Sequence, residues 1–120
     1  MKEKKLSDSK IQFELVFTES KSWAGKEIVL RALPNKLGSS RFGYVVSRRI
    51  GKAVVRNRIK RLLREITRKI PVKTGWDIVF IARNPASTAG FEDLGKSVRA
   101  LLFKADLSLE KYENDRAGIN

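Results

Sequence analysis

Ser47-Arg48-Arg49-Ile50-Gly51-Lys52-Ala53-Val54-Val55-Arg56-Asn57-Arg58-Ile59-Lys60-Arg61-Leu62-Leu63-Arg64-Glu65 is the stretch on which the fold turns. Gly51 breaks the extended pattern before it, and nothing interrupts a helix again until Pro71 and Gly75. The sequence therefore predicts a helix over residues 53–70. At 100° per residue with Ile59 at zero, Val55, Leu62, Leu63, Ile66 and Ile70 fall between about 300° and 40°. These make one buried face. Asn57, Arg61, Arg64 and Arg68 fall between about 140° and 200°, directly opposite, while Arg56 and Lys60 extend the polar field to about 60° and 100°. Val54 and Val55 are assigned to helix entry and packing.

The charge follows the same division. Residues 41–69 hold 11 basic side chains and one acid, Glu65, a net +10 out of +13 for the 120-residue chain. Residues 1–40 carry +3, and residues 70–120 carry no net charge. A solvated helix face normally mixes signs, because like charges at i,i+4 repel. Guanidinium groups stacked without acids instead suit a polyanion, and Arg suits bidentate contact with phosphate and stacking on bases.

Outward from the helix the elements are short. Residues 41–47 read as a strand. Residues 26–33 read as another, the two pairing as a hairpin across Pro34-Asn35 and Gly38-Ser39-Ser40. Upstream, Ile11, Phe13, Leu15, Val16 and Phe17 recur at helical spacing, with Asp8 or Ser9 as cap and Ser22 and Gly25 as the end. Downstream, residues 76–82 are nearly all apolar, as a strand covered on both faces would be. Phe91, Leu94, Val98, Leu101 and Leu102 make the stripe of a last helix near 91–104. Trp23 and Trp76 read as core or edge residues. The domain reading is a flexible basic start (1–8), a single α/β domain (9–105) and a loose polar tail (106–120).

Composition removes many chemistries. The chain has no Cys and no His, which excludes disulfides, thiolate zinc sites and Ser/His or Cys/His triads within it. No apolar run approaches the roughly 18 residues that span a bilayer. No apolar segment follows the basic Met1–Lys5 start, so a cytoplasmic protein is expected. No membrane or protein partner is implied.

The opening stretch closely resembles the signature of the protein subunit of bacterial ribonuclease P. Its core is Arg-Asn-Arg-x-Lys-Arg, preceded by Gly-x-Ala-Val and followed by Leu-x-Arg. The flanks agree: Phe13-x-x-Val16-Phe17, Arg41-x-Gly43-x-x-Val46-Ser47, and Asp77-Ile-Val-x-Ile-Ala-Arg83. The resemblance spans about residues 10–104. It implies an α-β-β-β-α-β-α two-layer sandwich (ribosomal protein S5 domain 2-like) with a four-stranded sheet and a left-handed β-α-β crossover. Chain geometry alone favours the right-handed form.

It further implies a non-catalytic subunit of the ribonucleoprotein endonuclease that removes the 5′ leader of precursor tRNA. The RNA subunit would carry the chemistry with divalent metal, expected to be Mg. No protein motif here binds a cofactor, and no catalytic or metal residue is assigned. Arg48, Arg49, Lys52, Arg56, Asn57, Arg58, Lys60, Arg61, Arg64 and Arg68 would bind RNA. Phe13, Phe17, Arg31, Val45 and Lys60 would line a cleft for the leader, where aromatic faces stack on unpaired bases and cations hold the backbone. By themselves Phe13 and Phe17 also fit plain core packing. Arg31 stands where many family members carry an aromatic residue, and Arg48-Arg49 replaces the commoner Lys-Lys.

The competing reading is a structural RNA binder of the ribosomal type, equally small and basic. A major-groove DNA reader fits less well: the cations span four turns, with few base-reading side chains beyond Asn57. An autonomous nuclease lacks clustered acids for a two-metal site.

Overall fold

The computed structural model describes residues 4–5 and 19–110. Strands β1 (Lys4–Lys5), β2 (Lys21–Ala24), β3 (Ile28–Pro34), β4 (Arg41–Val45) and β5 (Trp76–Ala82) form one mixed sheet in the order β1-β4-β5-β3-β2. Helix α1 (Ala53–Arg68) joins β4 to β5, and α2 (Phe91–Lys104) follows β5. β1 adds two residues of backbone parallel to the edge of β4. The other four strands and the two helices are the expected α+β arrangement. The expected first helix, with Phe13 and Phe17, lies outside the described residues.

β5 takes the centre because it is apolar on both faces. It pairs antiparallel with β3 over Pro34↔Trp76 to Ile28↔Ala82, and parallel with β4 over Arg41↔Asp77 to Val45↔Ile81. The hairpin expected between β3 and β4 therefore does not form; β5 lies between them. Their connection folds across the start of β5 instead. The Asn35 amide N–H donates to Gly75 O at 2.9 Å. The Ser40 hydroxyl donates to Lys73 O at 2.6 Å and accepts the Trp76 N–H at 3.1 Å. A parallel β4/β5 pair requires a crossover, which α1 supplies.

A second correction concerns Lys21–Ala24, assigned by sequence to the end of the first helix. It is a strand paired antiparallel with β3, closed by a Gly25 N–H bond to Ile28 O at 2.8 Å. Only Trp23 of its four side chains packs against the core, so the segment lacks an apolar alternation. Gly25 fits closely there: a Cβ would lie 3.2 Å from both Ile28 O and Ser97 Oγ, so a larger residue would make these neighbours give by a few tenths of an ångström.

Both helices cover one face of the sheet. Ile28, Leu30, Ala32, Phe42, Ile78 and Phe80 from the strands meet Ile59, Leu63 and Ile66 of α1 and Leu94, Val98, Leu101 and Leu102 of α2. Each fully buried aliphatic side chain contributes about 1.5–3 kcal/mol. The Phe80 ring lies near-parallel to Phe42 and Tyr44, with centroids 6.3 and 6.1 Å away. α1 stops at Arg68 rather than Ile70, and Val54, expected to pack, is 74% exposed. Val55 does pack against the core.

Residues 106–110 do not leave the domain as a loose tail. Asp106 adopts φ 61°, and the N–H groups of Asp106 and Leu107 bond Phe103 O and Leu102 O at 3.0 and 2.9 Å. That is a Schellman cap, with Asp where Gly is usual. Leu107 is 1% exposed, and residues 107–109 pair with 71–73 through Lys73 N to Leu107 O and Leu109 N to Pro71 O.

Candidate nucleic-acid interface

The interface begins before α1. Ser47 leaves the strand and its hydroxyl accepts the Arg49 N–H at 3.2 Å, capping a 3-10 turn over Arg48–Ile50. This turn leaves Arg48 and Arg49 exposed at the mouth of α1, followed by exposed Lys52. Along α1, Asn57, Arg61, Arg64 and Arg68 are exposed, opposite buried Ile59, Leu63 and Ile66.

Arg56 and Lys60 are only half-exposed. They lie on the same side of the helix as Thr67, a polar residue that the apolar pattern does not place on the buried face. It lies at about 80° on the same wheel, is 1% exposed, donates to Leu63 O at 3.0 Å and shares a 2.6 Å hydrogen bond with the Tyr44 hydroxyl. The buried arc thus swings toward β4 and takes Arg56 and Lys60 to its margin. Arg56 Nε donates to Gly51 O at 3.0 Å, tying the helix start to its own turn. Arg58, on the opposite flank, donates to Ala89 O at 2.8 Å and braces α1 against the segment before α2. Its expected RNA role is therefore combined with a structural one.

Charge is unevenly committed. Arg41 forms a bidentate pair with buried Asp77, Nε to Oδ1 at 2.8 Å and a terminal nitrogen to Oδ2 at 2.7 Å. Hydrogen bonding to Asp77 raises the Arg41 pKa, burial works against it, and the Asp77 charge adds to the rise. Arg41 thus drops out of the available positive field. Among the described residues, Arg48, Arg49, Lys52, Asn57, Lys60, Arg61, Arg64 and Arg68 have no side-chain hydrogen bond or ion pair. An array of uncommitted cations on one helix and its entry turn is equipped to neutralise phosphates.

The proposed cleft residues separate. Arg31 and Val45 lie on the sheet face opposite the helices. Val79 runs between them, paired with Arg31 on one side and Gly43 on the other. Val79 is fully buried there, with Leu33, Val45 and Ile81 packed against it. Arg31 also donates to the Ser20 hydroxyl at 3.1 Å. Lys60 stands on α1, which covers the other face, at the margin nearest β4. Among the described residues, no three His, Cys, Asp or Glu gather where they could hold a metal ion.

The family model described as Ribonuclease P matches residues 1–106, a span that contains α1, the whole sheet and α2. The chain belongs to the ribonuclease P protein family. A ribonuclease P protein component from Thermoanaerobacter sp. is 45% identical over 98 residues, covering 80% of this chain and 84% of that protein. One from Caldanaerobacter subterraneus is 43% identical over 114 residues, covering 92% and 98%. The ribonuclease P protein of Thermotoga maritima superposes with a TM-score of 0.73 at 36% identity, covering 82% of this chain and 94% of that one. That of Staphylococcus aureus superposes with a TM-score of 0.76 at 30% identity, covering 82% and 93%. The chain therefore has the role of a ribonuclease P protein subunit. No helix among the described residues is long and apolar enough to cross a membrane.

Proposed function

We propose that the chain binds the RNA subunit of ribonuclease P through α1 and its entry turn, and the 5′ leader of precursor tRNA on the opposite sheet face. The RNA subunit is assigned the hydrolysis, with divalent metal held by RNA supplying the Lewis acid and activated water. The protein's own share is electrostatic and positional. Arg61, Arg64, Arg68 and Asn57 meet the phosphates of the RNA subunit, with Arg48, Arg49 and Lys52 extending the contact. The margin residues Arg56 and Lys60 face β4, beside the strand that carries Val45. On the other face, Arg31 offers a cation above an apolar floor for unpaired leader nucleotides, and Phe13 and Phe17 are assigned to the same cleft. The assembly is placed in the cytoplasm.

The observation that carries this reading is the row of exposed, uncommitted cations on α1, within a family whose members are components of ribonuclease P. The decisive assay is cleavage of precursor tRNA by a bacterial ribonuclease P RNA at low magnesium. Strong promotion by the protein is expected, together with a preference for precursor over mature tRNA. RNA binding without promotion would instead favour a purely structural RNA binder.

A further inference from the structure

A cavity of about 390 Å³ opens where α1 ends, between residues 68–74 and the Ser39–Phe42 segment. It lies on the helix-covered side of the molecule, at the end of the arginine row and away from the face that carries Arg31. Phe42 and Ile70, 3% and 4% exposed, close its floor, Pro71 and Val72 give it an apolar wall, Arg68 is exposed at its rim, and no carboxylate lines it. Its volume falls in the range of small-ligand clefts, about 300–1,000 Å³.

Two features point to an occupant. Ser39 is only 7% exposed, yet its hydroxyl makes no hydrogen bond among the described residues; its carbonyl alone is engaged, by the Asn35 amide. A buried hydroxyl without a partner is uncommon and calls for one. Arg68 is likewise uncommitted, whereas the other two cations that line the cavity are occupied. Lys69 lies 6.0 Å over the Phe91 ring, and Lys73 pairs with Asp106 at 3.1 Å.

We infer that this cavity receives one unpaired nucleotide of the RNA held by α1. The base lies against Pro71 and Val72 with a polar edge toward the Ser39 hydroxyl, and the phosphate lies on Arg68. A cation beside an apolar surface suits a nucleotide, whose phosphate favours positive charge and whose base presents an apolar face. The inference rests on the proposed RNA-binding role of α1, and its test separates the two.

Because the chain has no Cys, a photoreactive group can be placed at Thr74→Cys, beside the cavity, or at Val54→Cys, exposed at the start of α1. Each labelled protein is irradiated in complex with a bacterial ribonuclease P RNA. Crosslinking from position 74 to a single unpaired nucleotide is expected, as well as crosslinking from position 54. Crosslinks from 54 with none from 74, or from 74 only to duplex backbone, overturn the pocket and leave the α1 reading standing. No crosslink from either overturns both. In the free protein, 5′-AMP should shift the amide resonances of Ser39, Ser40 and Thr74 more than inorganic phosphate does. Equal shifts would reduce the site to unspecific charge and overturn the inference.

Discussion

Arg41 and Arg61 look alike in the sequence and do opposite things. Arg41 meets Asp77, 36 residues away, and that carboxylate also accepts the Asn35 side-chain amide at 2.9 Å. The trio fastens the β3–β4 connection to the start of β5. Arg41→Ala leaves a buried carboxylate without its charged partner, and a loss of about 3 kcal/mol is expected, read from the urea midpoint. Because pairing raises the Arg41 pKa, its contribution is fully present at neutral pH and is lost only as pH climbs past the folded value. That lies above any working pH, so Arg41 should add no pH dependence to stability between neutral and mildly alkaline conditions. Arg61 is exposed and uncommitted, so Arg61→Ala should change stability by no more than about 0.5 kcal/mol.

At the scale of elements, legibility follows periodicity. β5 and α2 match their predicted spans residue for residue, because seven apolar-rich residues and an i, i+3, i+4 stripe admit few alternatives. β2 is not legible, since three of its four side chains are exposed. The sequence suggests a β3–β4 hairpin because neighbours in sequence usually pair, and only the central demand of β5 overrides that. The Schellman cap after α2 is hidden by Asp106 in a position that usually reads as Gly. On α1 the buried and basic faces follow from helical angle alone. The partners of Arg41 and Arg58 do not, because they lie on distant segments, and neither does the burial of polar Thr67. Substitutions test these elements. Leu63→Ala should cost about 2–5 kcal/mol, and Ile59→Asp, which buries an unpaired charge, should prevent folding as seen by circular dichroism. Leu107→Ala should also destabilise by about 2 kcal/mol or more, a result that a loose tail would not give.

For the whole molecule, the sheet separates two tasks. One face carries helices, the arginine row at their surface and the cavity at the end of α1. The other presents Arg31 and Val45 around buried Val79. The absence of His and Cys from the chain suits the proposed division of labour, in which the protein supplies electrostatics and shape and the RNA subunit the proton transfer. The central claim is that the uncommitted arginines of α1 touch RNA phosphates. It is tested most directly by the salt dependence of affinity for a bacterial ribonuclease P RNA, measured for the wild-type chain, Arg61→Ala, Arg64→Ala and the double variant. If each arginine neutralises one phosphate, either single variant should flatten the slope of log affinity against log salt by about one unit, and the double variant by about two. An unchanged slope in the folded double variant would contradict the account.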